Sequence, residues 1–426
     1  MSFVDLVLFM MNMVNKTMQR EINDFIKDIK KEPIKYGKSA MSKARLKISP
    51  ELFVDLNEGM LKDIYTDKEG IKLCHGFRII GVDGSTLELP KMNILKDKKQ
   101  SEDIKDIYGK GSNQQGEYGA TPRISIMYDL ENKFVLDGIL SSIHSSEGFM
   151  AIEHIDKLVK YKKDIKEKYK DLLIYDRGYP SMGLIKYHYK HGLDFLMRIS
   201  NSSFKAVQEF KRSKKVDEII EIEVTRGIFN NLSKGNQHPN LKALLQELKI
   251  GDKLKIRAVK VVLQNGTVEV LLTSLLSQDE YKTEIFQELY FKRWGVEISY
   301  DVLKNVFNLE NFTGLTQIAI NQDFYATILT NNLCSLIMND VMGKKVFLYN
   351  ETKERKYLYQ LNKSFSIGCM KNSLVLMLQK NVREERIYQM IEDEILGNLL
   401  PIKPDRSFER KKYSSAKFSV PKKASF

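Results

Sequence analysis

The chain is 426 residues long, with 42% hydrophobic and 29% charged residues and a formal net charge of +13. This balance predicts a folded, soluble protein and excludes collagen-like, coiled-coil and wholly disordered chains; at roughly 100–200 residues per domain it predicts two to four units. Three cysteines, Cys74, Cys334 and Cys369, without a Cys-x-x-Cys pair, encode neither a disulfide framework nor a zinc finger and fit a reducing interior.

Residues 3–14 (FVDLVLFMMNMV) are apolar but include Asp5, lack a basic flank and fall short of the roughly 20 residues a bilayer requires, so they predict a buried helix. Between Lys16 and Lys47 ten Lys/Arg face four Asp/Glu, and between Lys403 and Lys423 eight face two; each segment carries +6, so the ends hold 12 of the 13 excess charges. Such ends suit gripping a polyanion, or are simply solvated; an anionic membrane fits less well because acids interrupt residues 17–30. Ser49-Pro50 opens a helix with Leu52, Phe53, Leu56 and Leu61 at helical spacing, either a helix-turn-helix DNA reader or a helical cap.

From residue 77 the pattern turns to strands. FRIIGVD (77–83) is an apolar run ending in an acid, and RISIMYD (123–129) with FVLDGIL (134–140) reads as a hairpin. Residues 147–165 form an amphipathic helix, LLIYD (172–176) is a central strand apolar on both faces, a helix runs to about 191, and DFLMRIS (194–200) is a further strand. This order predicts an α/β fold, a mixed sheet covered by helices. Residues 219–224, 253–263 and 268–275 are β-rich, with Asn265-Gly266 as a hairpin turn. A long helix is expected from the capping box Ser277-x-x-Glu280 to about Phe307, then a buried helix over 320–342. Loop 91–120 exceeds ordinary loop length, which marks it as functional or disordered.

The predicted divisions are a helical N-terminal region (1–75), the first part of an α/β core (76–204), a β-rich insertion (205–276), the second part of the core (277–345), and a C-terminal helical region with a basic tail (346–426).

Asp83 and Asp176 each close an apolar strand and precede a turn, DGST and DRGYP. Ligands of open α/β sheets sit beyond strand carboxyl ends, so acids on adjacent strands converge there, although a single such Asp is more often a turn residue. On YFKRWGVEISYDVLK (290–304), at about 100° per residue, Tyr290, Arg293, Glu297 and Lys304 share an arc of roughly 60°, with Phe291, Ile298 and Val302 beside it as the expected core-facing stripe. The alternative is a solvated face with an Arg293–Glu297 pair. Asp301 is a second possible acid, and Gly295 inside the helix implies close approach of something to its backbone or tight packing. Three carboxylates at one cleft need cations, and hard oxygen ligands favour Mg²⁺ or Mn²⁺; two such ions serve in-line attack on a phosphodiester.

With Asp83 in GVDGST, Asp176 in YDRGYP and the spacing Tyr290-(2)-Arg293-(3)-Glu297-(6)-Lys304, the chain resembles the bacterial DDE transposases of the insertion-sequence "IS four" family. The likeness extends over most of 35–335, through SAMSKARLKISPELF, GATPRISIMYDLENKFVLDGIL, TSLLSQDEYKTEIFQELYFKRW and NQDFYATILTNNL. It implies a ribonuclease-H-like core interrupted by a β-rich insertion, Asp83, Asp176 and Glu297 as catalytic and metal-binding triad, and Tyr290, Arg293 and Lys304 on the DNA backbone. It implies nicking of element ends, double-stranded DNA partners (terminal inverted repeats and target), a homodimer on DNA, no membrane, and a cytoplasmic, nucleoid-associated setting.

Arg177 and Arg198 are expected to contact DNA or to form structural ion pairs. His188 with His191, and His144 with Glu147 and His154, have the look of zinc ligands but lack a complete set, and solvated helix faces are expected instead. Trp294 is expected in the core. The competing functions are a ribonuclease-H-like nuclease without strand transfer and a domesticated relative that binds DNA without catalysis.

Overall fold

A computed structural model describes residues 1–12, 16–31, 35–66, 70–89, 104–113, 116–165, 169–200, 204–233, 238–263, 266–314, 316–352, 355–371, 373–379 and 383–403. The chain forms two compact units, one of Met1–Asn57 with Val302–Phe426, the other of Glu58–Asp301.

In the Glu58–Asp301 unit the strands are β1 (Phe77–Thr86), β2 (Lys110–Asn113), β3 (Gly116–Ala120), β4 (Arg123–Asp129), β5 (Val135–Ser141), β6 (Lys170–Tyr175), β7 (Asp194–Ile199), β8 (Asp217–Glu223), β9 (Lys253–Val262) and β10 (Val268–Thr273). Eight of them make one sheet in the order β5-β4-β1-β6-β7-β10-β9-β8. β1, β4 and β5 pair antiparallel, while β1, β6 and β7 are parallel neighbours. This mixed α/β arrangement is the expected ribonuclease-H-like core. β6 is central because Asp171–Tyr175 are all buried, leaving no face of the strand for water. The β-rich segment 205–276 adds its strands to the same sheet, where Val270 of β10 pairs with Ile199 of β7. Loop 91–120 is not wholly irregular: β2 and β3 pair as a ribbon, while 91–103 lie outside the described residues.

Helix α1 (Glu147–Ile165) and helix α2 (Met182–His191) bury one apolar face each, with Ile152, Ile155, Leu158, Leu184 and Ile185 meeting Val82, Leu173, Phe195 and Met197 of the sheet. Ser181 caps α2 by accepting from the Leu184 N–H at 3.2 Å, and Gly192 ends it at φ 61°, a left-handed conformation costly for a residue with a β carbon. The expected solvated histidine face is wrong for α2. His188 is fully buried, its Nδ1 donating to Leu193 O (3.1 Å) and its Nε2 accepting from Tyr175 Oη (2.9 Å). Burial lowers its pKa to about 3, so it is a neutral core residue. His154 is also buried, between Asp137 (2.6 Å) and Ser125 (2.9 Å).

The chain after β10 departs from the expected single helix. Ser277 Oγ accepts from the Glu280 N–H at 3.3 Å, but helix starts only at Ile285. Helix α3 (Lys205–Arg212) packs against β8, and after β10 the chain forms α4 (Ile285–Phe291) and α5 (Trp294–Asp301), separated by a turn at Lys292-Arg293. The expected apolar stripe faces the wrong way: Phe291 is 62% and Ile298 53% exposed, and Trp294, expected in the core, is 42% exposed. Leu289, Arg293, Val296 and Tyr300 form the buried face instead, at spacings of four, three and four. Arg293 therefore points inward, beside the apolar residues.

α5 lies directly on β1. A β carbon at Gly81 would come within 2.1 Å of Val296 Cγ2, and one at Gly295 within 2.8 Å of Leu130 Cδ2. These contacts are the close approach that Gly295 implied.

The unit formed by the two ends of the chain is helical. Phe3–Met11 is a helix with a Ser2/Asp5 capping box, burying Leu6, Leu8, Phe9 and Met11 as expected of that apolar run. A 25-residue helix, α6 (Gln317–Val341), buries Phe324, Ile328, Leu329 and Cys334. Arg45, 2% exposed, donates to Gln322 Oε1 (2.8 Å) and Asp323 Oδ1 (2.7 Å), fixing helix Lys38–Arg45 on α6. The basic tail lies outside the described residues from 404 onward.

The glycine contacts give different expectations for two small substitutions. Gly81→Ala meets a stiff β-branched side chain and should lower the denaturant midpoint by an amount worth about 1–3 kcal/mol. Gly295→Ala displaces only the end of Leu130 and gains about 1 kcal/mol of helix propensity, so its midpoint should stay close to wild type.

Candidate active site

The register of the sheet brings the two aspartates together. Val82 of β1 pairs with Tyr175 of β6 in the parallel ladder, so Asp83 and Asp176 occupy the next positions on strands spaced roughly 4.8 Å apart. β1 runs on to Thr86 with β4 as its partner, whereas β6 ends at Tyr175, which leaves Asp176 at the mouth of the sheet.

The two carboxylates have different surroundings. Asp83 Oδ1 accepts from the Gly84 N–H at 2.9 Å, while its backbone carbonyl accepts from Tyr300 Oη (2.7 Å) and Ser125 Oγ (3.1 Å). Burial, reinforced by Glu147 and Asp176 against the opposing Gly84 N–H and Arg293, raises its pKa from 3.8 to about 6. For Asp176 burial also acts upward, but the Arg177 N–H, Arg293, Arg198 and Tyr290 outweigh it and hold the carboxyl below its ordinary range. Tyr290 Oη donates to Asp176 Oδ1 at 3.1 Å. Arg198 Nε lies 3.2 Å from the same oxygen without hydrogen-bond alignment, and its Nη1 is 3.4 Å from Glu269.

Glu297 enters from the first turn of α5, joined to Arg293 by a 3.0 Å charge-assisted bond. Arg293 Nη1 lies 3.9 Å from Asp83 Oδ2, and its Nε is buried without an acceptor among the described residues. One guanidinium thus spans Asp83 and Glu297 and supports Asp176 electrostatically. Its plane also sits 5.2 Å from the Trp294 ring, within cation–π range.

Of the other predicted contacts, Arg177 has an exposed side chain and lends its backbone N–H to Asp176. Arg198 is committed to Asp176 and Glu269. Lys304 lies in the π-helical turn Val302–Val306, in the other unit. Asp301, the second possible acid, is exposed at the end of α5.

A fourth acid is present that sequence reasoning set aside as a solvated residue. Glu147 opens α1, and β carbons on Gly84 and Gly178 would lie 3.3 Å from its Oε1 and 3.2 Å from its Oε2. Its carboxylate therefore sits between the turns that follow Asp83 and Asp176. The available signal was an acid in the first turn of the helix after the hairpin, too common to single out.

This donor set fits hard divalent cations. Asp83, Asp176 and Glu297 gather about Arg293, Glu147 lies between the turns that follow the two aspartates, and every donor is a carboxylate oxygen.

A family profile described as the transposase DDE domain matches residues 75–333. The chain belongs to the DDE transposase family. Members of that family work with divalent metal ions. No curated protein sequence matches the chain. Among solved structures, the cryo-EM structure of a piggyBac transposase synaptic complex with hairpin DNA is similar at a TM-score of 0.41 and 11% identity, covering 96% of this chain and 77% of that one. Among the described residues, no helix is long and apolar enough to cross a membrane.

A carboxyl whose pKa rises from 3.8 to about 6 on folding opposes folding once it is ionised, by about 3 kcal/mol at most. Asp83→Asn in chelator should therefore raise the melting midpoint at pH 7.5. Because the cost is absent below pH 3.8, builds as pH rises toward about 6 and is constant above, the gain should shrink as pH falls from 6 to 4. Thermal melts across that range check it.

Proposed function

We propose that the chain is the transposase of an insertion sequence, cutting the element ends and joining them to target DNA by phosphoryl transfer with two divalent ions, Mg²⁺ or Mn²⁺. The observation that supports this most is the Val82–Tyr175 register, which sets Asp83 and Asp176 side by side in a DDE-family chain while α5 brings Glu297 to them through Arg293. Asp83, Asp176 and Glu297 would hold the ions, which when bound activate the attacking oxygen and stabilise the leaving one.

The chain's own residues do the rest. Tyr290 and Arg198 keep Asp176 ionised and in one orientation. Arg293 balances the acids before cations arrive; once they share that charge, its guanidinium is available to a DNA phosphate. Glu147 adds charge beside Asp83 and strengthens the demand for cations. Tyr290, Lys304 and the exposed Arg177 are assigned to the DNA backbone. The helical region 1–75 and the basic tail are assigned to DNA binding, 76–204 and 277–345 to the catalytic core, 205–276 to the insertion and 346–426 to the C-terminal region, with a homodimer holding two element ends.

Glu297→Gln should lose cleavage of an element-end duplex by at least about 10²-fold while retaining DNA binding in a mobility-shift assay. Full nicking by that variant would refute the site. Wild-type protein that nicks but never joins 3′-hydroxyl ends to a target would support the nuclease instead. Removing residues 403–426 should weaken DNA binding and flatten its dependence on salt; an unchanged salt slope would make the tail a bystander.

A further inference from the structure

Away from the acids, a second group of ligand-type side chains converges in the Glu58–Asp301 unit. Cys74 and Phe77 exchange two backbone hydrogen bonds of 2.9 Å, closing a two-residue turn with His75 at φ 50° and Gly76 at φ 79°. Positive φ at both central positions defines a type I′ turn, a place usually held by Asn, Asp or Gly, so an imidazole is presented here against local preference. The turn faces α4. Cys74 Sγ lies 3.8 Å from Glu288 Oε1, His75 Nε2 lies 3.3 Å from Glu288 Oε2, and one atom from each of the three residues falls within 4.8 Å of the others.

Those separations can be compared with what a metal demands. Tetrahedral Zn²⁺, with Zn–S of about 2.3 Å and Zn–N and Zn–O of about 2.0 Å, places sulfur and oxygen ligands about 3.5 Å apart and nitrogen and oxygen about 3.3 Å apart. The sulfur and the imidazole nitrogen thus each lie about one such spacing from the Glu288 carboxylate, the sulfur at Oε1 and the nitrogen at Oε2, and one ligand atom from each residue stays within 4.8 Å of the others. We propose that Cys74, His75 and Glu288 form a binding site for a thiophilic divalent cation such as Zn²⁺, with the fourth position open to solvent.

The surroundings permit this. Lys292 sits 3.8 Å from Glu288 but 2.8 Å from Glu131, so an anchor remains for its charge when Glu288 turns to a metal. His75 and Glu288 are exposed, which gives an ion access. A thiolate and an imidazole also separate this site from the acid cluster, whose all-oxygen donors suit harder ions. The consequence is mechanical. Glu288 stands two residues before Tyr290 on α4, so an ion here would tie the turn that opens β1 to the helix that presents Tyr290 to Asp176.

Full-length protein stripped with chelator and titrated with Co²⁺ in excess Mg²⁺ tests the site apart from the acid cluster. One Co²⁺ per chain should bind with a thiolate-to-cobalt charge-transfer band, lost in Cys74→Ser and weakened about 10–100-fold in affinity in Glu288→Gln. His75→Asn keeps a residue suited to the turn while removing the imidazole, so it should fold normally yet bind weakly. In wild-type protein, Zn²⁺ should shield Cys74, but not Cys369, from alkylation read by mass spectrometry. Absence of the band, its persistence in Cys74→Ser, or alkylation of Cys74 at an unchanged rate in Zn²⁺ would each overturn the proposal, whatever the outcome for the acid cluster.

Discussion

The missing β carbon at Gly81 sets the geometry on which the site depends. At Gly81 the strand surface is bare enough for Val296 to rest on the backbone, and at Gly295 the helix is bare enough to admit Leu130. Any larger side chain at Gly81 would lift α5 from β1. Asp83 lies two residues past Gly81 and Glu297 two past Gly295, so the close contact of strand and helix fixes how near the two acids can come. Rigid elements packed without a gap hold functional groups more exactly than loops would.

Charge is the second constraint. Burying several carboxylates at one mouth costs free energy unless positive charge accompanies them. The chain supplies part of this internally, through Arg293 between Asp83 and Glu297 and Arg198 beside Asp176. The supply is uneven. Asp176 is held below the usual carboxyl range, whereas burial, with Glu147 and Asp176 adding to it, raises the Asp83 carboxyl toward protonation. Stability given up at a functional site in this way is a common trade.

Much of the fold was legible from local pattern. The strand at 123–129 and the helix at 147–165 fall where the apolar pattern placed them; the helix buries one face and exposes the other, whereas Ile124–Asp129 of the strand are buried on both faces. The long helix was misread. Its wheel assumed unbroken geometry from 277, but the chain turns at Lys292-Arg293, and the large apolar residues Phe291, Trp294 and Ile298 face outward. Hydrophobicity alone chose the wrong face, since Arg293 and Tyr290 are buried there for their partners and not for their transfer energy. His188 shows the same limit in reverse, a polar residue completed inside the core by Tyr175 and a backbone carbonyl.

The sequence by itself determined most strand and helix types of the core and put Asp83, Asp176, Arg293 and Glu297 forward as candidates from their places at strand ends and on one helix. These are properties of short windows and of residue chemistry. Tertiary structure decided the pairing of Val82 with Tyr175, the inward face of α5, the approach of Glu147 to Asp83 and the meeting of Cys74 and His75 with Glu288. Each of these joins segments far apart along the chain, and such contacts are selected by the packing of whole surfaces, which no local periodicity encodes.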